Sequence, residues 1–193
     1  MSEALLDLAL MLPNDLSDDR ALLVARLAGR LGFSAVHLAF DPAHDTVDAE
    51  HLDRLIDAAD PAMVVLDDGA ATVGIVRRND PALVSAARAT LDAQEGTRPL
   101  IVAVPISIGR TVNEAVARAD REPTFTGDAH PRESGIFGTF EQAQEQVLAL
   151  AEAGAEVLLL TVPMEADIAD VLAQVRALVV GATPALFERR NPQ

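Results

Sequence analysis

From Asp80 to Arg98 the chain reads Asp-Pro-Ala-Leu-Val-Ser-Ala-Ala-Arg-Ala-Thr-Leu-Asp-Ala-Gln-Glu-Gly-Thr-Arg, and from Leu100 to Ile106 it reads Leu-Ile-Val-Ala-Val-Pro-Ile. The first part has the marks of a helix. Asp80 is an N-cap residue, and Pro81 fills the first helical position, where its missing N–H costs nothing. Leu83, Ala87 and Leu91 recur at helical spacing, and Gly96 lets the chain leave in a left-handed conformation. The second part is apolar on both faces, as in a strand buried between layers. A capped helix feeding such a strand is one step of a β/α repeat, so the fold turns on whether the rest of the chain repeats it.

Outward from this stretch the pattern recurs. A strand-like run, Leu5–Leu12, precedes a helix opening near Ser17, with Asp18 and Asp19 suited to its positive end. Leu23, Leu27 and Leu31 lie at i, i+4 and i+8 before Gly32 closes that helix. Then come a strand at Ala35–Phe40, a helix at Asp48–Ala59, and strands at Ala62–Leu66 and Thr72–Val76. After Ile106, Thr111-Val112-Asn113-Glu114 has capping-box spacing and starts a short helix to Ala119. Thr139-Phe140-Glu141-Gln142 is a second such box, whose helix ends at Gly154. Glu156–Val162 is the last strand, and a final helix from Ala166 or Asp167 ends before Gly181.

Apolar strands alternating with amphipathic helices predict an α/β fold, a parallel sheet with covering helices. Roughly six repeats in one domain over residues 1–193 fall short of the ~250 residues of a full (β/α)₈ barrel. The expectation is a barrel-like fold shortened from eight units. An open doubly wound sheet is the alternative, weakened because no Gly-x-Gly-x-x-Gly follows the first strand. Asp120–Gly138 is the one long irregular segment.

Composition removes several chemistries. The net charge of −15 opposes a nucleic-acid partner, whose phosphates need clustered cations. There is no Cys, hence no thiolate nucleophile, and no Lys, hence no Schiff base. Tyr and Trp are absent, removing phenol acids and indole platforms. Neither a basic leader with an apolar core nor a long apolar span is seen, so a cytoplasmic protein is expected, without a membrane partner.

Four segments resemble the bacterial-luciferase-like flavin-dependent monooxygenases. Asp80–Arg98 is similar to the family's helix after the third strand, and Leu31-Gly32-Phe33-Ser34-Ala35-Val36 to its join of first helix and second strand. Leu100–Ala119, with Ile108-Gly109-Arg110-Thr111 and Glu114-Ala115, resembles a later strand and helix. Gly138-Thr139-Phe140-Glu141-Gln142 and Ala151-Glu152-Ala153-Gly154 resemble the ending before the eighth strand. The chain departs from the family where Arg98 meets Leu100 almost directly, since the family's central strands and pocket-closing insertion belong there.

The resemblance implies reduced FMN or F420 as cofactor and a small organic molecule as substrate. FMN would carry monooxygenation and F420 hydride transfer, with the protein supplying orientation. His44 is the nearest match to the family's His near the flavin, at the end of the second strand, with Asp41 or Asp45 beside it to orient its ring. Ser107, Gly109, Arg110 and Thr111 leave the strongest strand for a helix N-terminus, and Gly138 and Thr139 do so later. Both turns suit a cofactor phosphate, or equally a helix that caps itself. The shortened barrel gives a second hypothesis, a degenerate flavin-binding or partner subunit without turnover. A third is a metal-dependent lyase or isomerase using Asp67, Asp68 and His44, although Asp67-Asp68-Gly69 is also ordinary turn chemistry. His37 reads as a core or barrel-lining residue, His51 has no other His one helical turn away, and His130 sits in the irregular segment. Phe125, Phe137 and Phe140 fit the cover of an apolar mouth or a subunit contact, and an incomplete barrel implies a homodimer.

Overall fold

The computed structural model describes residues 6–13, 16–39, 48–67, 74–94, 98–122, 125, 134–164 and 167–190. Its strands are β1 (Asp7–Leu12), β2 (Ala35–Ala39), β3 (Met63–Asp67), β4 (Ile75–Val76), β5 (Ile101–Ile108), β6 (Ile136–Gly138) and β7 (Val157–Thr161). Its helices are α1 (Asp18–Leu31), α2 (Ala49–Ala59), α3 (Pro81–Asp92), α4 (Val112–Ala119), α5 (Phe140–Glu152) and α6 (Ile168–Arg190). The sheet runs β3-β2-β1-β7-β5-β4, with β6 also on β5, and every pairing is parallel. Parallel neighbours require crossover connections, which place the helices on the sheet.

Alternation along the strands decides which face the helices cover. Leu8, Leu10, Leu12, Val36, Val102, Val104, Ile106, Leu158 and Leu160 are buried in one cluster with the apolar faces of α1, α2, α3, α5 and α6. The opposite face has smaller content: Ala9, Ala35 and Leu159 are buried there, with Met11, Val65, Ile101 and Ala103 half-buried around them. A sheet with one helix layer and a small-residue inner face is a shortened (β/α) barrel. The doubly wound alternative would have placed helix layers of comparable weight on both faces.

Local signals set most boundaries. The Asp80 carboxylate accepts from the N–H groups of Ala82 and Leu83, and Thr139 with Gln142 closes a complete capping box. Four expectations need correction. Ile101–Ile108 runs on past Ile106, so Ser107 is a strand residue rather than a loop one. Residues 136–138 form β6, pairing Ile136 with Ile106, where a loop was expected. On α3 Ala87 and Leu91 pack into the core as expected, but Val84 is the buried residue of the first turn and Leu83 is 47% exposed. The last helix does not end before Gly181 but runs through it to Arg190. Gly96 lies outside the described residues.

At the N-terminal ends of the strands a polar clamp ties α3 to the sheet. Arg88 bonds Asp92 at 2.7 Å and Glu156 at 2.8 Å, and Glu156 Oε2 also accepts from Leu100 N. The α1–α2 contact is tighter still. A Cβ on Gly29 would sit 2.1 Å from Ala59 O. Ala is the better helix former by ~1 kcal/mol, but overpacking costs about 1–3 kcal/mol or more. Gly29→Ala is therefore expected to lower the urea midpoint despite its higher helix propensity, and an unchanged or raised midpoint would show that the two helices are not in this contact.

Candidate functional site

Barrel-type sites form at the C-terminal ends of strands, and there β5 and β6 deliver two turns side by side. Gly109 N donates to Gly138 O at 3.0 Å, joining the exit of β5 to the end of β6. From β5 the chain passes Gly109 and Arg110 to Thr111, the N-cap of α4, whose hydroxyl accepts from Glu114 N. Gly109 is required by packing, since a Cβ would meet Ala115 N at 2.6 Å. From β6 the chain enters α5 at Thr139.

An open cleft of about 490 Å³ lies between these turns. Gly109, Arg110, Glu114 and Arg118 form one wall, Thr139, Phe140 and Glu141 another, and Gln174 of α6 closes the side toward the helix layer. Glu114 organises the first wall. Its Oε2 accepts from Arg110 N at 3.1 Å and from Arg110 Nε at 3.3 Å, and Oε1 lies 3.5 Å from Arg118. Arg110 N–H, then its guanidinium, and then the charges of Arg110 and Arg118 hold the Glu114 carboxyl below its ordinary 4.5. The Glu141 carboxyl is also held low, first by its own N–H and then by the Thr139 hydroxyl.

The inner face carries a second feature at the same end. Ser107 is paired with Phe137, so both point to that face. Ser107 is buried, and its Oγ donates to Ala115 O at 2.9 Å, which places α4 over the sheet there. Arg118 Nη1 donates back to Ile108 O. Beyond α4, Glu122 is buried and accepts from Met164 N at 2.7 Å, past the end of β7. Phe125 is buried too and meets Phe137 edge-on, ring centroids 6.2 Å apart. α4 and Glu122 thus lie at the C-terminal ends of β5 and β7, and Phe125 lies against Phe137 of β6.

The sequence brought Gly109, Arg110 and Thr139 to one cleft, with Thr111 and Gly138 flanking it. Ser107 is not at the cleft: its hydroxyl serves α4. Asp41, Asp45, His44, Asp68 and His130 lie outside the described residues, while Asp67 ends β3 opposite Ala39. Sequence reasoning passed over Arg118, Gln174 and Glu122. A carboxylate in an irregular segment carries no local sign that it will be buried.

A flavin phosphate would need free donors at the two turns. Arg110 N is held by Glu114, Glu114 N by Thr111, Thr139 N by Gln142 and Gln142 N by Thr139. Two carboxylates also line the cleft against its two guanidiniums. Four backbone donors of the two turns are thus spent on their own caps. The arrangement does generate a pH signature. The folded Glu114 pKa is lowered, so its contribution to stability is present above the ordinary 4.5 and lost as pH falls through the folded value. Glu114→Gln should therefore melt below wild type at about pH 7, with the gap closing at an acidic pH where Glu114 is protonated in the folded chain. A gap of equal size at both pH values would remove the carboxylate charge as its cause.

No family model and no curated protein matches the chain. Among solved structures, apo-MsnO8 is similar with a TM-score of 0.50 at 15% identity, over 91% of this chain and 98% of that one. (S)-3-O-geranylgeranylglyceryl phosphate synthase from Thermoplasma acidophilum, in complex with sn-glycerol-1-phosphate, has a TM-score of 0.42 at 12% identity, over 90% of this chain and 92% of that one. The first likeness carries the fold and no activity, and the second adds nothing to it. Among the described residues no helix is long and apolar enough to cross a membrane. The chain has a parallel α/β fold of shortened-barrel type.

Proposed function

We propose that this chain is a luciferase-like β/α domain that has kept the helix-covered sheet and lost the flavin cradle, and that it works as a partner subunit without turnover. One observation carries the reading: α4, Glu122 and Phe125 occupy the inner face at the strand ends where enzymes of this architecture hold their ligands. The self-capped turns at the cleft point the same way. A cytoplasmic location belongs to this reading, as does a homodimer. Met63 is 65% and Leu66 41% exposed on β3 at the end of the sheet, and a second copy would cover them. Sedimentation should give a dimer at micromolar concentration, and a clean monomer would count against that part.

One observation favours a second reading, an active FMN- or F420-dependent oxidoreductase acting on a small organic substrate. The Arg110 side chain is 92% exposed beside the cleft, tied to Glu114 by a single exposed ion pair. Such a pair is weak, so an anionic group competes with it easily. Thermal-shift titration separates the two. The partner-subunit reading expects no change in melting temperature with FMN, reduced FMN or F420. A concentration-dependent rise with any of them, lost in Arg110→Ala, would establish the cofactor reading instead.

A further inference from the structure

Three exposed large apolar side chains stand on one edge of the fold. Met63 and Leu66 lie on β3, and Ile56, 48% exposed, lies on α2, which packs against β3. Helical spacing accounts for the place of Ile56. Leu55 and Ala59 of α2 are buried, and His51 and Arg54 reach Asp18 of α1 on one flank. Leu52 and Ile56 fall on the opposite flank, toward the open edge of the sheet, whereas Asp53 and Asp57 turn back to solvent. In a chain of net charge −15, the seam at this edge is apolar.

The backbone of β3 is open along the same edge. Met63 N donates to Ser34 O, so the peptide groups of Met63 and Val65 face β2 and those of Val64 and Leu66 face away from it. Among the described residues no strand pairs with that side. Ala62 N, the next outward group, is already bonded to Ala59 O. Sheet edges are ordinarily blunted by charge or proline, and Met63-Val64-Val65-Leu66 carries neither.

We infer that β3 pairs antiparallel with β3 of a second copy about a two-fold axis at Val65, making one sheet continuous through both chains. The inference rests on the homodimer proposed for this chain and names its contact. Centring on Val65 sets Val64 against Leu66 of the second copy and Leu66 against its Val64, and each such pair exchanges both of its N–H···O=C bonds. Centring on Val64 would set Leu66 against Ala62, whose N–H is spent, and centring on Leu66 would set Val64 beyond the end of β3. In the favoured register Val64 and Leu66 meet across the strands on the helix face, with Leu52 and Ile56 of both copies alongside. Asp67 falls opposite Met63 and not opposite a carboxylate, and Asp53 and Asp57 lie on the solvent side of α2. The seam therefore closes on a second copy without apposing these like charges.

Because the chain has no Cys, a single introduced thiol reports the register. In a non-hydrogen-bonded antiparallel pair the Cα atoms lie about 4.5 Å apart, within the roughly 4.4–6.8 Å that a disulfide spans. Val65→Cys should therefore form a covalent dimer under mild oxidation with diamide. Val180→Cys, exposed on α6, should stay largely uncross-linked. Leu66→Pro removes an outward N–H and leaves the bonds of β3 to β2 in place. It should raise the dimer dissociation constant in sedimentation about tenfold or more, with the far-ultraviolet circular dichroism unchanged. A wild-type dimer whose Val65→Cys variant does not cross-link overturns the edge pairing and leaves the homodimer to another surface. A folded Leu66→Pro that dimerises as tightly as wild type does the same, and if that variant fails to fold the cross-link decides alone. A wild-type chain that stays monomeric overturns the homodimer as well, leaving the edge to a strand of a different protein.

Discussion

The position of β7 between β1 and β5 is the constraint on which the rest depends. Val157 is in register with Asp7 on one side and Ile101 on the other, so a strand from late in the chain joins the first strands to the later ones. All pairings are parallel, so each link between neighbouring strands must cross over, and crossovers of one hand put their helices on one face. That is why Leu158 and Leu160 share a core with Leu8, Leu10 and the helices, while Leu159 sits with Ala9 and Ala35 on the other side. The large residues fill the space under the helices, and the small ones let the sheet curve around its own inner face.

The two ends of the strands are built to different ends. At the N-terminal end, the Glu156 carboxylate accepts from Leu100 N and pairs with Arg88, so one side chain ties α3, β5 and β7 together. In barrel folds that end contributes stability, and the other end holds the site. Here the C-terminal end is also consumed by internal bonds. The donors that might hold an anion serve Glu114 and Gln142, and the face that might hold a ring carries α4 and Phe125. A site needs unspent donors and open surface, and the bonds named here take up part of both among the described residues.

What the sequence disclosed follows the range of the interactions. The caps at Asp80, Thr111 and Thr139 are contacts over three or four residues, and they were legible. Long apolar strands were legible for the same reason. The three residues of β6 were not, because Ile136 is a strand only through Ile106, thirty positions earlier in the chain, and glycines flank it. The helix faces misled in one respect. Leu23 and Leu83 are exposed while Ala21, Val24, Ala25 and Val84 are buried, so the largest apolar side chain of a turn is not always the one that faces the sheet. Gly181 resembled a stop, yet α6 runs through it to Arg190. Gly109, Arg110 and Thr139 line one cleft although the sequence showed them only as two separate turns, and Glu122 acquires its meaning only from Met164, which no local pattern connects to it.

The cation content fits the closed end. All 15 cationic side chains are Arg. Arg118 donates to Ile108 O while its other nitrogen faces Glu114, and Arg20 donates to Met164 O. A strand-end carbonyl that faces a barrel mouth ordinarily has water or a ligand for its partner. A guanidinium reaches such a carbonyl and keeps further donors for a carboxylate, which the single ammonium of Lys does less well. In this chain the same forked groups that stop β5 and the β7 exit from needing a ligand also fasten α4 and α1 to them. The mouth is thus closed by bonds the fold already needs to satisfy its strand ends.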